Sequence, residues 1–167
     1  KARIADTWYI QKDVTGKRAA LQTRVEVEAT ENISGATVTI TADGRKVASK
    51  TADLVKGTNT IVMDYAVSNP RLWWTNGLGK PNLTKFEARL STSDAATLDT
   101  SGDNIGLRSL KLHNDKDKWG HNLYFELNGK PLYAKGSNMV PNDNFLTRCT
   151  DSVYRQVVKD AADVNMN

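Results

Sequence analysis

The side chains that could carry chemistry are few and scattered. Asp115 and Asp117 are near neighbours, as a general acid and base must be, but they sit in "HNDKDKWG", which reads as a solvated linker. Nothing there would raise one carboxyl by burial, so the pair offers no division into acid and base. Asp151 and Asp163 fall at the ends of a helical pattern. Cys149 is the single cysteine, which excludes a disulfide within the chain and a thiolate metal cluster. As a nucleophile it would need a base close by, and neither His113 nor His121 is near it in sequence. It reads as a small, partly buried side chain. No Ser-His-Asp arrangement and no metal-ligand spacing emerges, so neither metal nor cofactor is expected.

What the elements must position is therefore not a self-contained catalytic centre. A length of 167 residues, with 39% hydrophobic and 25% charged side chains, suits one ordinary domain or one domain plus part of another. A net charge of +4 raises the question of nucleic acid. Acids and bases are interspersed, as in "KTADLVKG", and no dense Lys/Arg run exists, so the surface reads as solvated and no nucleic-acid partner is expected. No stretch approaches the roughly 18 apolar residues of a membrane span. The chain opens "KARIADTW", without Met or leader, as expected of a piece of a longer protein.

The first two thirds read as β-sheet. "ALQTRVEVEAT" puts Leu21, Thr23, Val25 and Val27 on one face, with Gln22, Arg24, Glu26 and Glu28 on the other. "ATVTITA", "TIVMDYAV" and "TKFEARL" alternate in the same way, a period of two with one polar face that marks antiparallel strands packed on one side. Turn signals stand at Thr15-Gly16, Asp43-Gly44, Lys56-Gly57 and Ser101-Gly102-Asp103. With "ADTWYIQ", "RKVASKT" and "IGLRSLKL" the count reaches about seven strands, the number of an immunoglobulin-like antiparallel β-sandwich. The apolar parity of "IGLRSLKL" shifts between Leu107 and Leu110, which predicts a bulge in that last strand.

After Leu112 the pattern changes. Leu123, Phe125 and Leu127 lead to Asn128-Gly129, the turn of a tight β-hairpin, with the return strand beginning near Leu132. A long irregular loop is expected over 137–149. A helix follows, with Thr150 placed to cap it, Asp151 at the positive end of its dipole, and Val153, Val157, Ala161 and Val164 along one stripe. Strand, loop and amphipathic helix make the first two thirds of a βαβ unit, which predicts a second, α/β domain cut short at "VNMN". A helix docked on one end of the sandwich is the alternative.

The motifs "NPRLWWTNGLG", "IGLR", "YFELNGKPLYAKGSNMVPND" and "AADVNMN", in this order and spacing, resemble glycoside hydrolase family 2, and within it the β-mannosidases. The resemblance covers residues 60–167. It implies an immunoglobulin-like β-sandwich over 1–112 and, over 113–167, the first βα unit of a (β/α)8 catalytic barrel. It further implies a retaining, exo-acting enzyme whose two glutamates, about 5–5.5 Å apart, lie on later barrel strands beyond Asn167. This chain would then be inactive by itself. Its partners would be the remaining domains of its parent and, in the full-length protein, a β-linked oligosaccharide. Polysaccharide-degrading relatives imply export to the periplasm or beyond.

Carried over by position, "LYAKG" resembles the first barrel strand, whose C-terminal end opens towards the face where active sites assemble. On that likeness Asn138 and Asp143 would line or brace a sugar pocket, or merely shape a tight loop. Lys135 would be structural. Arg108 would bond carbonyls or a carboxylate near the domain junction. Trp73 and Trp74 would bury or make an interdomain contact, or alternatively stack on sugar in a carbohydrate-binding module. Thr75, Thr84 and Met139 depart from the residues usual in the family, and Met139 leaves the exact sugar open.

Overall fold

The computed structural model describes residues 1–167, which fall into two compact units. The first comprises Lys1–Trp73 and Asn82–Ser109; the second comprises Trp74–Pro81 and Leu110–Asn167.

The first unit holds seven strands: β1 (Ala2–Val14), β2 (Arg18–Ala29), β3 (Ile33–Ala42), β4 (Arg45–Leu54), β5 (Gly57–Ser68), β6 (Thr84–Ser91) and β7 (Thr97–Ile105). They form two antiparallel sheets, ordered β1-β2-β5 and β4-β3-β6-β7. The alternation read from sequence decides which side chains enter the core. Leu21, Thr23, Val25 and Val27 of β2 are buried, while Arg24 and Glu28 are exposed. Val38 and Ile40 of β3 stand opposite Leu90 and Ala88 of β6, and all four are fully buried. Phe86 completes this layer and meets the Tyr9 ring at 4.9 Å. At Asp43-Gly44 both residues have positive φ, 47° and 78°, as a tight hairpin turn between twisted strands requires.

The seventh strand is displaced from its expected place. "IGLRSLKL" does not continue the sandwich. The edge strand is β7, paired with β6 from Thr84↔Ile105 to Ser91↔Thr97. Ser101-Gly102-Asp103, read as a turn, lies mid-strand opposite Ala88, Glu87 and Phe86. An edge strand half covered by its neighbours needs little apolar alternation, and "TLDTSGDNI" has little. The turn before it is Thr92–Ala96, where the Ala96 carbonyl accepts the Thr92 N–H at 2.9 Å. Beyond Ile105 the backbone leaves the sheet because other groups take its hydrogen bonds. Trp73 donates its N–H to the Leu107 carbonyl at 2.8 Å, and Gln11 bonds Gly106 and Arg108 through its side chain.

In the second unit β8 (Leu110–His113), β9 (Tyr124–Leu127) and β10 (Lys130–Leu132) form a separate antiparallel sheet ordered β10-β9-β8. Asn128 and Gly129, with φ of 50° and 79°, make the β9–β10 turn, so the return strand starts at Lys130 rather than near Leu132. Irregular chain follows to a single 3-10 turn at Leu146–Arg148, and α1 spans Asp151–Asp163. Thr150 occupies the cap position, but its hydroxyl bonds that of Ser152 at 2.8 Å instead of capping the helix backbone. The helix buries no residue outright; Val157 and Ala161 are half-buried, whereas Val158 and Val164 are exposed. No helix is long and apolar enough to cross a membrane.

Candidate functional site

The stretch following β10 is held at both ends. At its start, Asn167 sits beside Tyr133–Lys135 through three hydrogen bonds. Its N–H donates to the Lys135 carbonyl at 3.0 Å, its Oδ1 accepts the Lys135 N–H at 2.8 Å, and its Nδ2 donates to the Tyr133 carbonyl at 3.2 Å. Lys135 is exposed and enters this pairing through its backbone. At the far end, Asp143 Oδ1 accepts the Phe145 N–H at 2.8 Å, the geometry of an Asx turn, and its Oδ2 pairs with Arg148 Nε at 3.2 Å. The Arg148 guanidinium in turn lies 5.9 Å from the Phe145 ring centroid. Asp143 is three-quarters covered, while Arg148 is largely exposed. Between these anchors Asn138 is exposed, with Met139 and Val140 beside it. The structure thus places Asn138 on open surface and engages Asp143 locally.

Trp73 and Trp74 sit on either side of the division between the units, and both are half-buried. Each rests against a glycine with no room for a side chain: a Cβ on Gly106 would come within 2.8 Å of Trp73 Cγ, and one on Gly79 within 2.8 Å of Trp74 Cγ. Each ring also carries a cation, Arg108 over Trp73 at 5.1 Å and Lys130 over Trp74 at 5.3 Å. Arg108 donates from Nη1 to the Gly106 carbonyl at 3.1 Å, and its N–H donates to Gln11 Oε1 at 2.8 Å.

Two carboxyls are held below their ordinary range by hydrogen bonds. The Gly35 N–H and the Ser34 hydroxyl hold Asp53 below the ordinary carboxylate range, and the Thr92 hydroxyl does the same for Asp94. That is the direction of a carboxylate fixed as an acceptor, opposite to the one a general acid needs. A hydrogen bond with half-buried Cys149 raises the Tyr154 phenol. His113 stacks on Tyr124 at 4.6 Å and lies between Asp115 and Glu126, at 3.6 and 3.3 Å. No group of three or more His, Cys, Asp or Glu side chains is placed to hold a metal ion.

Sequence reasoning missed Asn76, Asn167 and Gln11 as organising residues. Asn76 donates its side-chain amide to the carbonyls of Ala162 and Met166, at 3.2 and 2.9 Å. Its only signal was its place in the "TNGLG" turn, which says nothing of a partner some ninety residues on.

Seven antiparallel strands in a three-plus-four sandwich, continued by a hairpin, an irregular loop and a helix, define the class of this protein: an immunoglobulin-like β-sandwich module with a second unit attached. The chain belongs to the glycosyl hydrolases family 2, whose family model matches residues 2–108. It is 27% identical over 161 residues to Beta-mannosidase B of Emericella nidulans, covering 95% of this chain and 19% of that protein. With Beta-mannosidase B of Aspergillus terreus it shares 30% identity over 160 residues, 95% of this chain and 18% of the relative. Among solved structures, the β-D-mannosidase of Dictyoglomus thermophilum superposes with a TM-score of 0.87 at 27% identity, over 100% of this chain and 21% of that one. The chain therefore spans about a fifth of the length of the relatives it matches.

Proposed function

We propose that these residues are a non-catalytic central portion of a retaining, exo-acting β-mannosidase, in which the sandwich precedes the opening βα unit of the catalytic barrel. The observation that carries this reading is the extent of the similarity. Likeness to β-mannosidases runs through 161 residues and both units, well past the 2–108 matched by the family model. The return of the chain after α1 to pair with Tyr133–Lys135 supports a strand–helix–strand progression over 113–167. In this reading the acid/base and nucleophile are two glutamates supplied from outside this chain. The loop carrying Asn138 and Asp143 faces the sugar. The half-buried rings of Trp73 and Trp74, each with a cation over it, support packing roles rather than a stacking platform.

The test is hydrolysis of an aryl β-mannoside by this chain and by a chain extended to the length of its relatives. The extended chain is expected to turn over and residues 1–167 to be inert. Turnover by residues 1–167 alone would overturn the assignment, and activity of the extended chain only on β-galactosides or β-glucuronides would move the substrate.

A further inference from the structure

We infer that Asn76 is a positioning residue for the loop that carries Asn138 and Asp143, acting through the end of α1. The inference rests on reading that loop as sugar-facing. Helix α1 closes in a Schellman arrangement: Asn165 adopts positive φ, 61°, its N–H donates to the Ala162 carbonyl at 3.0 Å, and the Met166 N–H donates to the Ala161 carbonyl at 2.9 Å. That motif does not use the Met166 carbonyl. Asn76 takes it, and with its other amide hydrogen adds a second bond to Ala162. The residue after Met166 is Asn167, whose three bonds seat Tyr133–Lys135. Asn138 lies three residues beyond Lys135. The path from Asn76 to the loop is thus two hydrogen-bonded contacts joined by one peptide link, all within the second unit.

The donor is itself held firmly. The Trp74 N–H donates to the Lys80 carbonyl at 3.1 Å and the Leu78 N–H to the Thr75 carbonyl at 3.1 Å, closing a turn in which Gly77 has a φ of 80°. The Trp74 ring rests on Gly79. An amide presented by a closed turn costs little to order, so its bonds act on the partner rather than on itself. Only an amide fits: a carboxylate of the same shape has no donors and would face two carbonyl oxygens.

The experiment compares Asn76→Asp, which keeps the shape and loses the donors, with Asn76→Gln, which keeps donors on a longer stem. Native-state hydrogen exchange of residues 1–167 reads the tether. Asn76→Asp is expected to speed exchange at the Lys135 and Asn167 amides by about tenfold, with β3 and β6 unchanged, and Asn76→Gln to recover part of it. Unchanged exchange at those two amides overturns the inference. Kinetics of the extended chain on an aryl β-mannoside read the positioning: Asn76→Asp is expected to raise KM several-fold with a smaller change in kcat. Faster exchange without a KM change overturns the positioning role and leaves the family reading intact. An extended wild-type chain inactive on every β-mannoside fails the functional reading instead, and the exchange result then decides the tether alone.

Discussion

The guanidinium carbon of Arg108 lies 5.1 Å from the centroid of Trp73, and both residues hold the same backbone segment. Trp73 bonds Leu107 through its N–H, and Arg108 bonds Gly106 through its side chain. The Trp73 ring thus rests on Gly106 on one side, and the Arg108 cation that lies over the ring bonds the Gly106 carbonyl. Trp73→Ala should cost about 3 kcal/mol, since a large aromatic leaves a gap that only partly collapses. Arg108→Met keeps most of the stem and loses the cation and its bond, and should cost about 1–2 kcal/mol. Gly106→Ala should be at least as damaging as Arg108→Met, because its methyl meets the indole. Denaturant midpoints at constant slope check the ranking.

Tyr9 offers a prediction of opposite sign. Its hydroxyl oxygen is buried without a hydrogen-bond partner. Burial first, then the nearby Tyr65, Asp103 and Glu87, push the phenol far above its ordinary range. An unsatisfied buried hydroxyl costs free energy, while the ring still packs on Phe86. Tyr9→Phe should therefore leave stability unchanged or raise it by about 1 kcal/mol, measured as the shift in thermal midpoint. A loss of more than about 1 kcal/mol would show that the oxygen has a partner in solution.

Asp53 should make stability depend on acid pH. Its Oδ1 accepts the Gly35 N–H and the Ser34 hydroxyl, each at 2.8 Å, across the irregular register between β3 and β4. Gly35 there has a φ of 66°. These bonds hold the folded-state pKa below the unfolded one. The contribution is therefore complete above the unfolded value, about 3.9, and is lost as pH falls through the folded value. Asp94, held by the Thr92 hydroxyl, adds a slope of the same sign. Asp53→Asn should lower stability at neutral pH, where the contribution is complete, and flatten the fall below about pH 4, so that the two proteins converge in acid. Urea titrations at a series of pH values would show equal slopes for the two proteins if the idea is wrong.

Legibility from sequence followed the physics of burial. β2, β3 and β6 were readable because each has one covered face, so Val25, Val38 and Leu90 alternate with polar neighbours. β7 was not, because an edge strand with Leu98 and Ile105 half-covered and Asp103 and Asn104 exposed carries no such alternation, and Gly102 mimics a turn. The parity shift between Leu107 and Leu110 read as a bulge in one strand, yet Leu110 and Leu112 are exposed on β8 in another sheet. The Asn128-Gly129 turn was legible because its backbone demand is local. Asn76 and Asn167 were not, since an amide bonding distant carbonyls leaves no mark on neighbouring positions.

Asp143 remains divided between shaping its loop and touching a sugar, and its two contacts supply the means of deciding. The Asx turn to Phe145 needs only an acceptor oxygen, which asparagine also has; the pair with Arg148 needs the charge. An ion pair to a largely exposed arginine is worth about 0.2–1 kcal/mol, less than the turn bond to a backbone N–H. A purely loop-shaping Asp143 therefore predicts that Asp143→Asn in the extended chain keeps nearly normal activity, that Arg148→Met matches it, and that Asp143→Ala loses several-fold. A carboxylate that touches the sugar predicts that Asp143→Asn falls as far as Asp143→Ala, while Arg148→Met still stays near normal. The present geometry, with both oxygens engaged locally, favours the first pattern, read as kcat/KM on an aryl β-mannoside.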